Sequence, residues 1–180
     1  MSDEVAGPAT PDRGGDDAPA TVLSVRRAGE RPARGFAKPA VDRLDLRPAH
    51  GAAGDRHAGT RRLREVHLVD VARYGLLRAG GADVADGYLG ENVTTHGLDL
   101  LALAAGARLR LGATAVLRVT GIRYPRHEDP ATDPVGLSLD DDGVPVGRVG
   151  VFAVVEVGGT VEAGDPVVLL AAGSGALPVL

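Results

Sequence analysis

Glycine and proline interrupt this chain too often for it to be built from long helices. The 26 glycines and 12 prolines among its 180 residues cut the apolar sequence into short runs. Thr21–Arg27 (TVLSVRR) is short and β-branched, and Gly29 and Pro32 follow it closely. Val41–Arg47 alternates in part, placing Leu44 and Leu46 on one face, and stops at Pro48. Val66–Val69, Arg108–Leu111, Ala113–Gly121, Val149–Val157 and Pro166–Leu170 read the same way, and the last three are apolar enough to predict central strands. One helix is predicted over Val71–Ala79, capped by Asp70 and ended by Gly80-Gly81. Many short strands and one helix predict a mainly β fold, a closed or nearly closed β-barrel with few helices. Closure would remove the edges that so many Val-rich strands otherwise expose.

Composition narrows what such a fold can do. Aromatic residues make up 3% of the chain, so the core is made of Val, Leu and Ala, and platforms for stacking nucleic-acid bases are not expected. No apolar run reaches the roughly 18 residues of a membrane span, and the N-terminus lacks the basic and apolar regions of a secretory signal. A soluble cytoplasmic protein with neither nucleic-acid nor membrane partners is the expectation. The absence of cysteine rules out disulfides, thiolate metal sites and cysteine nucleophiles within the chain.

Charge is distributed unevenly. Residues 1–20 hold five acids and one base, which accounts for the whole net charge of −4. They are rich in Asp, Gly, Pro and Ala, and predict a disordered acidic tail ahead of one domain spanning residues 21–180. Within that domain, residues 21–80 carry 13 bases and 6 acids, and residues 81–180 carry the reverse. Two readings are open: the halves attract and solvate each other, or the arginines of the first half line an anion site. All basic residues but Lys38 are arginines, whose planar fork suits bidentate contacts to oxyanions.

Three polar segments interrupt the strand pattern. In Gly51-Ala-Ala-Gly54-Asp55-Arg56-His57-Ala-Gly59, an extended backbone would put Asp55 and His57 on one side, orienting the imidazole or giving two metal ligands. The alternative is a loop in which Asp55 bonds its own backbone. In Gly90-Glu91-Asn92-Val93-Thr94-Thr95, the carboxylate, amide and hydroxyls either bind a polar ring or hold a loop. Arg123-Tyr-Pro-Arg126-His127-Glu128 leaves an apolar strand through a proline; it is an oxyanion cradle or a solvated loop with Arg126 paired to its acidic neighbours.

Taken together, these segments resemble the MOSC family, the domain at the C-terminal end of molybdenum cofactor sulfurases. Gly-Asp-x-His-x-Gly, Gly-Glu-Asn-x-Thr-Thr, Gly-Leu-Asp-Leu at 97–100 and Arg-x-Pro occur in that family's order. Lys38-Pro39 and the Gly-rich stretch at 158–165 are also similar. The resemblance implies a barrel whose cleft binds the molybdenum cofactor or a related anionic or sulfurated ligand. It implies a cofactor-binding set of Gly54, Asp55, His57, Gly90, Glu91, Asn92, Thr94, Thr95, Arg123 and Arg126. A pyridoxal phosphate site is not expected. Where the family has a cysteine, this chain has Arg126, and no catalytic residue follows from the resemblance. The expectation is therefore a binding domain whose thiol-dependent chemistry is lost or altered. Two alternatives stay open. One is an active reductase of N-hydroxylated compounds that uses a non-cysteine metal ligand such as His127 and a redox partner protein. The other is a diverged scaffold for protein contacts.

Overall fold

The computed structural model describes residues 19–29, 37–60, 62–124, 137–139 and 145–180. In chain order the elements are β1 (Thr21–Arg26), β2 (Ala40–Val41), β3 (Arg43–Arg47), β4 (Gly51–Ala52), β5 (Val66–Asp70), α1 (Ala72–Ala79) and β6 (Val93–His96). A 3₁₀ turn (Leu100–Ala102) precedes β7 (Arg108–Leu111), β8 (Ala115–Arg123), β9 (Leu137–Leu139), β10 (Pro145–Gly147), β11 (Gly150–Val157), β12 (Gly159–Glu162) and β13 (Val167–Ala171).

The protein is mainly β, as its punctuation predicts. One eight-stranded sheet runs in the order β13-β7-β8-β11-β5-β6-β1-β2, antiparallel except where β5 meets β6. A smaller sheet, β12-β3-β4, packs against it, and β9 pairs with β10. Leu44 and Leu46 are both buried, as the alternation in β3 requires, and they join Leu68, Leu109, Leu117 and Val151 in the main core. A second cluster beneath α1 contains Val69, Tyr74, Leu77, Leu89 and Val149.

The sheet is not closed, which corrects the expected barrel. The outer edge of β1 is divided between two partners: Val25 and Arg26 pair with β2, whereas Thr21 forms an isolated bridge with Pro166. Proline has no N–H with which to continue a ladder. The meeting of first and last strands consists of that bridge and the flanking bonds from Val22 N–H to Asp165 O, Gly164 N–H to Val22 O and Val167 N–H to Ala20 O, each 2.8 Å. Residues 1–18 lie outside the described residues, Pro19 is exposed and Ala20 already packs against the core.

Three local expectations also change. β13 stands at the end of the sheet, not its centre, with Leu169 and Leu170 exposed. Asp70 precedes the helix by one residue more than expected: Val71 is the N-cap, and the Asp70 carboxylate accepts the Ala72 N–H at 2.8 Å. The polar segment after Asn92 is itself a strand, β6, buried between β5 and β1.

Near the end of β8, residues 178–180 run along its edge. Ile122 N–H donates to Pro178 O at 2.8 Å and Leu180 N–H to Ile122 O at 3.0 Å. A methyl group on Gly121 would meet Leu180 Cγ and the Pro178 carbonyl at 2.5 Å each. Gly121→Ala is therefore expected to lower stability by about 1–3 kcal/mol, the usual cost of overpacking. A thermal unfolding curve unchanged from that of the parent would show that this strip is not firmly docked. Among the described residues, no helix is long and apolar enough to cross a membrane.

Candidate functional site

A cavity of about 270 Å³ opens where the turn after β4, the approach to β2, the loop before β6 and the end of β8 come together. Asp55 is its organising group. One carboxylate oxygen, Oδ2, accepts from Ala28 N–H at 2.9 Å and Asn92 Nδ2 at 3.0 Å, and lies 3.1 Å from Lys38 Nζ. The other, Oδ1, accepts the His57 backbone N–H at 2.9 Å and faces His57 Nδ1 at 3.0 Å. The segment is a turn and not the extended backbone of the first reading: Asp55 bonds its own turn, as the loop reading has it, and from that turn its carboxylate also meets the His57 imidazole. Burial pushes the Asp55 carboxyl up, but the Ala28 and His57 amides and the Lys38 ammonium outweigh it and hold the group at about 2.

The two histidines at the cavity differ. His57 is partly exposed, and burial lowers its pKa against the pull of Asp55. With Nδ1–H assigned to Asp55, its Nε2 is the acceptor facing Arg56 Nε at 3.2 Å. His67, on β5, is buried, and its pKa falls well below the ordinary value through burial first and then the nearby Arg123 and Lys38. It is a neutral ring, 5.2 Å from Phe152 and 3.5 Å from Arg123 Nη1.

Asn92 locks the cavity to the sheet. Its Oδ1 accepts the His67 N–H at 3.2 Å, and its Nδ2 donates to Arg26 O at 3.2 Å as well as to Asp55. Glu91, next to it, turns away from the cavity and is fully buried. It accepts the Tyr74 hydroxyl on both oxygens, at 2.8 and 2.9 Å, and the Thr94 hydroxyl at 2.8 Å. Tyr74 Oη in turn accepts the Gly87 and Leu89 amides at 2.8 and 3.2 Å. This network shapes the loop whose Leu89 carbonyl accepts from Arg123 Nη1. Gly90, at φ 74°, lets that loop turn back toward β6.

Of the residues singled out in the sequence, the structure brings Asp55, His57, Gly90, Asn92 and Arg123 to this one cavity. Gly54, Glu91, Thr94 and Thr95 do not line it; Glu91 and Thr94 support it from behind, and Thr95 is buried in β6. Arg126 and His127 lie outside the described residues. Sequence reasoning missed Lys38, Arg56, Arg64, Glu65, His67 and Phe152 as wall residues. Only Lys38 carried a usable signal, as the single lysine of the chain.

The electrostatics favour an anion. Lys38, Arg56, Arg64 and Arg123 face the cavity, opposed by Asp55, whose oxygens are both occupied, and Glu65, whose Oε2 accepts the Val155 N–H at 2.9 Å. Arg64 also lies 5.6 Å above the Phe152 ring.

The fold has close counterparts. The YuaD protein from Bacillus subtilis superposes with a TM-score of 0.61 at 19% identity, covering 82% of this chain and 94% of that one. YiiM from Geobacillus stearothermophilus gives 0.61 at 19%, covering 89% and 80%, and YiiM from Escherichia coli gives 0.57 at 21%, covering 87% and 73%. No curated protein sequence matches the chain. The MOSC domain family matches residues 53–168, a span that runs from the Asp55 turn through Asn92 and Arg123 to the start of β13, and the chain belongs to that family.

Proposed function

We propose that the cavity binds a small oxyanion, or the phosphate of a pterin-type molybdenum cofactor, and that the family's thiol-dependent chemistry is lost or altered in this chain. The observation that carries this reading is the convergence of four cationic side chains on one cavity whose carboxylates are already engaged. Guanidinium and ammonium groups hold phosphate or oxo groups through charge-assisted hydrogen bonds.

The cavity suits the anionic part of such a cofactor and not its metal. The chain has no thiolate to offer, and among the described residues no three His, Cys, Asp or Glu side chains are placed to hold a metal ion. The arginine at position 126, where the family carries a cysteine, stays protonated and donates hydrogen bonds only.

Isothermal titration with phosphate and with molybdate tests the reading. Binding is expected at low ionic strength and should weaken as salt is added, because the cavity is open to solvent. Arg123→Gln should weaken it by about tenfold or more, since a charge-assisted bond is worth roughly 1.5–3 kcal/mol. Heat signals absent for both ions at low salt would sink the proposal. Arg126→Cys supplies the missing thiol; N-hydroxyl reduction by the unaltered chain, abolished when molybdenum is withheld, would show that chemistry survives through another ligand.

A further inference from the structure

We propose that Lys38 is a covalent capture site for small phosphorylated aldehydes and ketones, its Nζ forming an imine while the arginines of the cavity hold the phosphate. The proposal rests on the anion-binding reading above and adds to it a reactive group and a ligand class.

The residue type is the first observation. Of 20 basic residues, Lys38 alone is a lysine. Arginine serves every other cationic position, including three in the same cavity wall. An arginine cannot shed its proton or attack a carbonyl, whereas a desolvated lysine does both. The single amine side chain of this protein is found where a nucleophile would meet a bound anion.

Placement is the second observation. Lys38 is 9% exposed, yet its side chain lines the cavity. Its backbone is held on both sides: its N–H donates to Gly87 O at 3.3 Å, and its carbonyl accepts Arg26 Nη1 at 3.1 Å. Burial and the neighbouring Arg123 favour the neutral amine, and Asp55 opposes them. That opposition has a use once an imine forms. The protonated imine carries the charge that the ammonium carried, and Asp55 Oδ2, 3.1 Å from Nζ, is in position to stabilise it.

The step balances without an oxidant or a metal. Lys38 first gives one proton to solvent at the cavity mouth, since Asp55, held at about 2, is a poor store for it. The Nζ lone pair attacks the carbonyl carbon, and one proton passes from the nitrogen to the former carbonyl oxygen to give a neutral carbinolamine. Its hydroxyl takes back one proton from solvent and leaves as water, and the C=N bond forms as a protonated imine. One amine and one carbonyl become one imine and one water.

Glycolaldehyde phosphate and unphosphorylated glycolaldehyde are the probes, each incubated with the full chain and trapped with borohydride. Intact mass and peptide mapping then separate the only two amines, Lys38 and the α-amino group, so that the latter serves as an internal standard. Lys38 is expected to be labelled about tenfold faster or more by the phosphorylated probe, a preference suppressed by inorganic phosphate and reduced by Arg123→Gln. The α-amino group should show neither effect. Labelling confined to the α-amino group, or equal rates at Lys38 for both probes, overturns the inference. If calorimetry shows phosphate binding and Lys38 stays unlabelled, the covalent role is refuted and the anion site stands; if phosphate does not bind, both fall.

Discussion

Asp55→Ala should lower the free energy of unfolding by about 3–5 kcal/mol, the range for removing one partner of a buried charge pair. The change strands the Lys38 ammonium, leaves the Ala28 N–H without its acceptor and takes one of two acceptors from the Asn92 amide. It also removes both contacts of His57 with Asp55, so the turn after β4 loses its anchor. A pH signature accompanies the loss. The folded carboxyl sits at about 2, below its ordinary 3.8, so its stabilising contribution is present above the ordinary value and disappears as pH falls toward 2. That difference corresponds to about 2 kcal/mol at neutral pH. Urea unfolding of parent and variant at pH 7, 4 and 2.5 checks it: the gap between them should narrow with acid. A gap of constant size would mean that Asp55 contributes through shape and not through charge.

Tyr74→Phe is the second large effect, expected at about 2–4 kcal/mol. Removing one oxygen leaves the Gly87 and Leu89 amides and the Glu91 carboxylate short of a partner in a dry interior, and each unsatisfied buried group costs about 1–3 kcal/mol. Burial, and then Glu91, push the Tyr74 hydroxyl far above its ordinary pKa, so it remains a donor at every working pH. Because the same loop offers Leu89 O to Arg123, phosphate affinity should fall along with stability. Chemical denaturation and calorimetry on one preparation measure both. A destabilised variant with unchanged phosphate affinity would separate the network from the cavity.

The strands were legible where burial is one-sided or complete. Leu44 and Leu46 alternate with charged neighbours because only one face of β3 meets the core, and the valine runs of β8 and β11 are apolar because both are interior strands. β6 was not legible: Val-Thr-Thr-His looks like a polar loop, yet Thr94 is buried because its hydroxyl is satisfied by Glu91 and Ser24. β13 misled in the opposite sense, since apolar Leu169 and Leu170 occupy an exposed end of the sheet. For the cavity, Asp55, His57, Asn92 and Arg123 stood out as polar residues marked by glycine or proline. His67 and Phe152 sit inside ordinary strand sequence, where nothing in the period distinguishes a cavity wall from a packed core.

The divided edge of β1 bears on how the chain is made. β6 and the segment at 164–167 both lie far downstream of β1 in sequence, and the second is separated from it by roughly 140 residues. At about 5–20 residues per second, a ribosome takes roughly 7 to 28 seconds to reach that partner after finishing β1. Throughout that interval Val22 and Val25, which end up fully buried, belong to a strand with no complete set of neighbours. β1 is thus sealed late, and the nascent chain carries a β-branched segment with an incomplete set of partners for most of its synthesis.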